Sequence, residues 1–364
     1  MLKKTLGALA LTTAMVATQS AADGHAIDLA GETVEWIIPF SETGGSAKWA
    51  NFYAPLLSEA LPGNPTVVVR FEPGAGSTRG ANMFQEMTYE SNPTTIFGSS
   101  GSTQFPYLLN DPRVRYEYGD WNVVLASGTG GVAYLPPALH DQLGDGGDAT
   151  PLAGESFIYG SQGATRLDLV PLLAWEMLGM SVEPVFGIEG RGDGRLMFER
   201  GEANVDYQTS SSYLSGVVPL VEAGTATPWF SFGALDDDGN IVRDPTFPDM
   251  PTFKEVCEAT PACDTESDEF AAWKAFFIAG FPAQKMVFLP AGASDAAIAT
   301  YTEAFEAIKA RDDFAEISQA RLGVYPQLTG AAAGTALDSA TVVPEAASSF
   351  VINWLAERYG VVLQ

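Results

Sequence analysis

Three loops rich in glycine and hydroxyl residues follow short apolar segments, and each is accompanied by a cation near the start of the next helical pattern. Backbone amides, hydroxyl groups and a nearby Lys or Arg are donors suited to a carboxylate, and a planar guanidinium can bind one through two parallel hydrogen bonds. Each cation could equally pair with a neighbouring surface acid, and both interpretations stay open at this point. The loops are Gly44-Gly45-Ser46, Gly74-Ala75-Gly76-Ser77 and Gly160-Ser161-Gln162-Gly163-Ala164-Thr165, and the cations are Lys48, Arg79 and Arg166.

The residues needed for other common chemistries are scarce. The chain has only two histidines, His25 and His140, so Ser-His-Asp, Cys-His and histidine-based metal sites have almost no imidazole to use. No pair among the 45 acidic residues stands out by its placement. The segment Gly74–Thr78 lacks the Gly-Lys-Ser/Thr ending of a nucleotide phosphate loop. We therefore expect no catalysis, no metal and no cofactor.

The chain is strongly acidic, with 45 Asp and Glu residues against 19 Lys and Arg and a formal net charge of -26. This charge opposes binding to nucleic acid or to an anionic membrane surface. Adaptation to saline water and the general acidity of exported proteins explain it equally well. Because the global field does not attract an anion, an anionic ligand would have to be held by local donors and a few placed cations.

Residues 1–26 have the pattern of a secretory signal peptide: two early lysines, an apolar stretch and then small residues, with cleavage expected after Ala22 or Ala26. No later segment approaches the apolar length of a membrane span, which predicts a soluble, exported protein. In an oxidising compartment Cys257 and Cys263 are expected to form a local disulfide that holds a surface loop.

Short β-rich segments alternate with helical patterns along the chain. A strand over Val34–Phe40 leads into a helix that we expect Ser46 to cap, and the same rhythm recurs from Phe157. This βαβ order predicts mostly parallel sheets covered by helices, which bind ligands beyond the carboxyl ends of their strands. Towards the C-terminus we expect an apolar strand at Ala275–Ile278 and then three helices.

An ordered series of short motifs resembles the extracytoplasmic solute receptors of tripartite tricarboxylate transporters, the Bug receptors. The resemblance covers essentially the whole chain after residue 26 and rests on the series rather than on one motif. The matching segments are Ile38-Pro39-Phe40 with Gly44-Gly45, Val67-Val68-Val69 with Pro73-Gly74-Ala75-Gly76 and Gly80-Ala81, Tyr159-Gly160-Ser161 with Gly163, Gly201-Glu202 with Val205-Asp206, Pro248-Asp249-Met250-Pro251-Thr252, and Gly323-Val324-Tyr325-Pro326 with Trp354.

The resemblance implies an α/β, type II-like periplasmic binding protein of two domains, with two mixed, mostly parallel sheets joined by two hinge strands around a central cleft. Domain I would comprise residues 27–128 and 232–364, and domain II residues 129–231. A periplasmic monomer would close over a small mono-, di- or tricarboxylate and deliver it to the membrane permease subunits of a transporter.

The resemblance also implies ligand-binding positions in the facing loops of the two domains. They are Phe40, Ser41, Gly44, Gly45, Ser46, Ala75, Gly76, Ser77, Ser99, Ser161, Gly163, Ala164, Thr165 and Asp206, to which the three cations Lys48, Arg79 and Arg166 are added. The family usually has Asp where this chain has Lys48, and it tends to have glycine where this chain has Ser77. We expect Lys48 to favour an extra acidic group on the ligand or a different binding pose.

Two other functions remain as alternatives. A sensing accessory that presents its closed form to a membrane receptor kinase would use the same cleft, and the sequence does not separate it from a transport receptor. A secreted α/β hydrolase would need an activated nucleophile such as Ser161, and the scarcity of histidine argues against it.

Overall fold

A computed structural model describes residues 26–363 of the chain. The expected signal peptide, apart from its last residue, lies outside the described residues. The strands are β1 Thr33–Ile38, β2 Thr66–Phe71, β3 Thr95–Ser100, β4 Asn122–Ser127, β5 Gly131–Leu135, β6 Ser156–Ser161, β7 Ser181–Phe186, β8 Asp206–Thr209, β9 Thr227–Ser231, β10 Ala234–Leu235, β11 Ile241–Val242, β12 Lys285–Leu289 and β13 Gln327–Leu328. The α-helices are α1 Gly45–Ala60, α2 Thr78–Gln85, α3 Gly101–Leu108, α4 Pro137–His140, α5 Leu169–Met177, α6 Arg191–Glu199, α7 Ser210–Ser212, α8 Val218–Glu222, α9 Phe253–Ala259, α10 Asp268–Gly280, α11 Asp295–Lys309, α12 Phe314–Leu322, α13 Gly330–Ala340 and α14 Glu345–Tyr359.

The larger sheet has the strand order β13-β4-β12-β3-β1-β2, and smaller sheets are formed by β8-β5-β9 and by β6-β7. β1 is parallel to β2 and β3, and β6 is parallel to β7. β12 runs antiparallel to β3 and β4, and β5 runs antiparallel to β8 and β9. The larger sheet is therefore mixed, as expected, with β1 to β4 running in one direction and β12 and β13 in the other. The β8-β5-β9 sheet is antiparallel and the β6-β7 sheet is parallel, so the two domains do not both have the expected mixed, mostly parallel sheet.

Aromatic side chains hold α1 on one face of the larger sheet. Trp36 of β1 meets Trp49 of α1 edge to face, with ring centroids 5.1 Å apart. Trp49 Nε1 also donates to Ser127 Oγ at the end of β4, at 3.0 Å. On the opposite face Phe84 of α2 stacks on Phe97 of β3 at 4.7 Å. These contacts fix the position of the loop between β1 and α1.

A second core is built around α10. Its Phe276 contacts Phe105 of α3 with ring centroids 5.1 Å apart, and the same buried cluster includes Trp175 of α5 and Val351 of α14. The expected strand at Ala275–Ile278 is wrong, because these residues lie inside α10. A short apolar segment looks alike in a buried strand and in a buried helix. Four helices, α11 to α14, follow where we expected three.

The chain crosses between the larger sheet and the β8-β5-β9 sheet through two adjacent segments. The first is Gly128–Gly130, between β4 and β5, and the second begins after β9. Phe232 N, directly after β9, donates to Gly131 O at the start of β5 at 2.9 Å, so the second segment begins beside the end of the first.

The predicted disulfide between Cys257 and Cys263 is confirmed. It joins the buried end of α9 to the turn that follows. Thr252 caps α9: its Oγ1 accepts from Glu255 N at 3.1 Å, and the Glu255 carboxylate accepts from Thr252 N at 2.7 Å.

No helix among residues 26–363 has the length and apolar character needed to cross a bilayer.

Replacing both cysteines by alanine should lower the free energy of unfolding by about 2 kcal/mol, because the disulfide closes a loop of about seven residues and restricts the unfolded chain. Urea unfolding with and without reductant measures this. Reductant should destabilise the wild type and leave the double variant unchanged; equal stability of the oxidised wild type and the variant would contradict the prediction.

Candidate functional site

The loop between β1 and α1 lies directly against the turn that begins α6. Ser41 N donates to Glu189 O at 3.3 Å, and Thr43 Oγ1 donates to Asp193 Oδ1 at 3.0 Å. Asp193 also accepts from Gly190 N at 3.0 Å, which caps α6. The contact between this loop and the α6 turn is therefore polar, and Ser41 lies within it.

Glycines allow the loop between β1 and α1 to lie close to the end of β8 and to the turn that begins α6. A Cβ at Gly45 would overlap Thr209 Oγ1, and a Cβ at Gly192 would overlap the carbonyl group of Thr43. Neither position needs a positive φ, so close approach of the backbone explains the residue type there.

A small cavity of about 20 Å³ remains between the two segments. It is lined by Phe40, Gly44, Gly45, Ser46, Ser100, Ser102, Gln162, Leu167, Gly190, Arg191, Thr209 and Gln284.

Gly44 is the N-cap of α1, which corrects the expectation that Ser46 caps this helix: α1 begins at Gly45, so Ser46 lies in its first turn. The first helical bond is from Lys48 N to Gly44 O at 3.1 Å, which leaves the preceding amides of the turn without an intrahelical partner.

A groove of about 390 Å³ adjoins this cavity, and Gln162 lines both. The groove brings together two of the predicted loops. From the first come Ala75 and Gly76, and from the second come Gly163, Ala164, Thr165 and Arg166. Arg113, from the segment after α3, adds a second guanidinium.

Arg166 is a buried cation between these loops. Its Nη2 donates to Ala75 O at 2.7 Å, and its Nη1 lies 3.8 Å from Asp111 Oδ2 without a hydrogen-bond partner. Asp111 instead makes its close ion pair with Arg113. Burial lowers the pKa of Arg166 to about 10, so the guanidinium is still charged at neutral pH.

The segment before α2 has an unusual backbone. Gly74, Ala75, Gly76 and Ser77 have φ values of 141°, 48°, 58° and 93° in succession, and two of these residues lack the freedom of glycine. Contacts on both sides hold the segment in this backbone conformation: Arg166 donates to Ala75 O, and Ser77 Oγ donates to Ser102 O at 3.2 Å. Strain of this kind persists only where surrounding structure enforces it, and it concentrates at functional sites.

Among the residues that line the cavity and the groove, the buried side-chain atoms without partners are hydrogen-bond donors; the unpaired acceptors Asp168 Oδ2 and Gln208 Oε1 belong to residues that contact Arg191 and line neither. The donors are Gln162 Nε2, Arg166 Nη1 and Arg191 Nε. Ser102 Oγ donates to Gln162 Oε1 at 3.1 Å, which leaves the amide nitrogen of Gln162 as the free end. With the first-turn amides of α1, the site offers a surplus of donors over acceptors.

Arg191 holds in place the turn at the start of α6, against which the loop between β1 and α1 packs. It forms buried ion pairs with Asp168, at 2.9 Å, and with Asp206, and its guanidinium lies 4.7 Å from the ring centre of Tyr159. Burial raises the pKa of both carboxyl groups, while the charge of Arg191 opposes that shift. Asp206, which the sequence predicted to bind ligand, also accepts a hydrogen bond from Tyr134. It supports Arg191 and does not line the cavity.

The remaining predicted residues lie apart from the cavity and the groove. Ser99 is buried in β3, and Ser161 Oγ accepts from Gly163 N at 3.2 Å within its own turn. Arg79 is exposed on α2. Lys48 is exposed on α1 and lines a separate surface hollow with Arg321. Their roles in ligand binding stay predictions.

Sequence reasoning did not single out several residues of the cavity: Ser102, Gln162, Arg191, Thr209 and Gln284. Gln162 lies inside a loop that was recognised, and Arg191 lies in the glycine-rich run after β7, so both had a local signal. Gln284 comes from a distant segment, and only the fold places it here. Among residues 26–363 no group of three or more His, Cys, Asp or Glu side chains is arranged to hold a metal ion.

The chain has the two-domain α/β fold of the periplasmic binding proteins, which confirms the predicted fold class. Solved structures with this fold include the periplasmic binding protein BugD, 16% identical, covering 91% of this chain and 99% of that one, with a TM-score of 0.63. MatC from Rhodopseudomonas palustris with bound malate is 14% identical over 88% of this chain and 98% of its own, with a TM-score of 0.61. R. palustris Rpa4515 with adipate is 16% identical over 86% of this chain and 98% of its own, with a TM-score of 0.60. No family model and no curated protein matches the sequence.

Replacing Arg191 by Met should lower the free energy of unfolding by about 3 to 5 kcal/mol, because Asp168 and Asp206 would stay buried without a counter-charge. The matched control is Arg195→Met on the same helix, whose i,i+4 pair with Glu199 is worth only about 0.3 to 0.5 kcal/mol. Urea unfolding compares the two variants.

The difference in the free energy of unfolding between the wild type and Arg191→Met should become smaller as the pH falls. Carboxyl groups whose pKa is raised in the folded state are neutral at low pH, so the penalty is present above the folded pKa and is lost below the unfolded pKa of about 4. A deficit that is independent of pH, or equal for the two variants, would contradict this account.

Proposed function

We propose that the protein is a periplasmic solute-binding protein that captures a small organic carboxylate between its two domains and delivers it to a tripartite tricarboxylate-type membrane transporter. The observation that carries this proposal is the surplus of donors at the site. A carboxylate accepts up to about four hydrogen bonds and has no donor of its own, so it would satisfy Gln162 Nε2, the guanidinium of Arg166 and the amides of α1.

The local charge supports an anionic ligand in a chain whose net charge is -26. Arg166 and Arg113 line the groove together with one carboxylate, Glu189, and Arg166 is not fully neutralised, since Asp111 pairs closely with Arg113. The N-terminus of the sixteen-residue helix α1 adds a partial positive charge at the cavity. These short-range terms would act after the ligand enters, where screening by salt is weak.

The bound ligands of two proteins with this fold, malate for MatC and adipate for Rpa4515, are dicarboxylates. They support a small organic acid as the ligand here. Within the proposal, domain I is residues 27–128 and 232–364 and domain II is residues 129–231. Residues 1–26 would direct export, and the protein would act as a monomer with the permease subunits as partners.

Binding would require the two domains to separate and close again. The cavity of about 20 Å³ is enough for roughly one water molecule and is too small for a dicarboxylate. A ligand that contacts Gly45 on one side and Gln162 on the other would stabilise the closed form, because each domain alone offers it only half of the donors.

The hydrolase alternative is less well supported by the geometry. Ser161 Oγ accepts a hydrogen bond from Gly163 N, and no imidazole of the described residues contacts it. A hydroxyl used as an acceptor in its own turn serves to shape the loop. The proposal therefore assigns Ser161 to the ligand-binding turn.

A screen of malate, succinate, adipate, citrate and benzoate at about millimolar concentration should identify acids that raise the melting temperature by a few degrees. Gln162→Leu should weaken the best of them at least tenfold in calorimetry, since it removes a buried donor to a charged group. Gln142→Leu, at an exposed position, is the matched control and should bind as the wild type does. The absence of any stabilising acid would overturn the proposed function.

Gly192→Ala should weaken binding of the same acid at least tenfold, because a methyl group there overlaps the carbonyl group of Thr43 when the domains are closed. Gly334→Ala on α13 points into open space and should leave affinity unchanged. Calorimetry on both variants tests this. If Gly192→Ala binds as tightly as the wild type, the contact between these segments is not part of closure.

A further inference from the structure

Lys285 is a buried cation at the start of β12. It pairs with Ser100 of β3 on one side and with Ser127 of β4 on the other, and it is only 3% exposed. Its Nζ donates to Gln284 Oε1, and no carboxylate of the described residues forms an ion pair with it. A buried ammonium without a counter-charge is costly, so its presence beside the ligand site needs an explanation.

The neighbour that Lys285 holds, Gln284, lines the small cavity together with Gly45 and Gln162. An ammonium group can only donate, so the acceptor oxygen of the Gln284 amide must face it. The Nε2 end is then turned away from Lys285. The protonated lysine therefore makes Gln284 one more donor at a site already rich in donors.

Deprotonation would remove this constraint. Burial lowers the pKa of Lys285 to about 7, so the neutral amine forms within the range of ordinary conditions. A neutral amine can accept a hydrogen bond, which lets the Gln284 amide rotate and present its oxygen to the cavity. An amide oxygen there would repel a carboxylate.

The strands on both sides of Lys285 offer no group that could titrate in its place. β3 and β4 carry no titratable side chain. On α1, Lys48 is exposed, and the buried Tyr53 donates to Gln327 while burial raises its pKa.

Two charged clusters lie near the same end of the sheet. Arg191, across the cavity, is paired with Asp168 and Asp206. Asp244, beyond the end of β4, accepts from Tyr325 at 2.7 Å. Arg191 therefore has counter-charges, whereas Asp244 has only the neutral Tyr325 hydroxyl and burial raises its pKa, so the Lys285→Met variant is needed to separate its titration from that of Lys285.

We propose that Lys285 is a positioning residue of the ligand site: as an ammonium it turns the Gln284 amide nitrogen towards the cavity and adds positive charge beneath it, so that binding of a carboxylate takes up a proton. The part that concerns the carboxylate rests on the proposed function. The part that concerns the orientation of Gln284 does not, and it can be tested without a ligand.

The ligand-free test follows the side-chain amide of Gln284 by NMR, with its signal assigned from its loss in Gln284→Leu. Between about pH 6 and about pH 9 this signal should shift with a midpoint well below the usual lysine value of about 10.4. The shift should be absent in Lys285→Met and unchanged in the control Lys309→Met. A signal that does not move with pH in the wild type, or that moves equally in Lys285→Met, overturns the positioning role.

The second test measures the affinity for malate, adipate and citrate by calorimetry over the same pH range, in buffers with different enthalpies of ionisation. Because the charged form binds the anion better, wild-type affinity should fall as the pH rises, by up to about tenfold per unit above the pKa of the free protein. The buffers should reveal uptake of a fraction of a proton. Lys285→Met should bind more weakly at low pH and show no such slope.

The outcomes separate the two proposals. Binding with a flat pH profile, or with the same slope in Lys285→Met, overturns the proton linkage and leaves the proposed function standing. If none of the acids binds at any pH, the proposed function fails, the linkage to carboxylate binding fails with it, and the NMR titration alone decides the orientation of Gln284.

Discussion

The buried ion pairs of Arg191 are the interaction on which the rest of the site depends. They connect the start of α6 to Asp168, which precedes α5, and to Asp206 on β8. Through these links one guanidinium fixes the turn Gly190–Asp193, against which the first loop packs. Buried ion pairs contribute little net stability compared with apolar packing, so their value here lies in setting one arrangement of several elements.

The surface of the molecule and the interior of the site differ in their electrostatic character. Its surface is acidic and repels anions at a distance, whereas the interior of the site is lined by donors whose own acceptors are missing. A ligand attracted only at short range must be recognised by fit and hydrogen bonding. Under the proposed function, this favours selection by the geometry of the ligand's carboxylate groups over selection by charge alone.

Much of the fold could be predicted from the sequence because its signals are local. The strand before Gly44, the helix after it and the repetition of this pattern from Phe157 depend on neighbouring residues, and the structure has them. The disulfide could be predicted from spacing and compartment. The strand at Ala275–Ile278 could not be told from a helix, since apolar content alone does not define a period when every side is buried.

The site was harder to predict, because half of it is assembled from distant segments. The loops that carry Gly45, Gly76 and Gly163 were recognisable by composition, and each lies at the cavity or the groove. Lys48 had a strong motif argument but lies exposed on α1, away from both. Nothing near Gln284 or Lys285 in the sequence suggests a ligand site, since their position depends on β12 inserting between β3 and β4.

Helix α10 has a mechanical consequence for any opening of the cleft. Its buried face packs on α3, beside the larger sheet, and on α5, beside β6 and β7, and Trp354 of α14 reinforces the same region by donating to Glu176 at 2.9 Å. A rotation that tore this core apart would expose several aromatic side chains to water. An opening rotation with its axis close to α10 would leave this core buried.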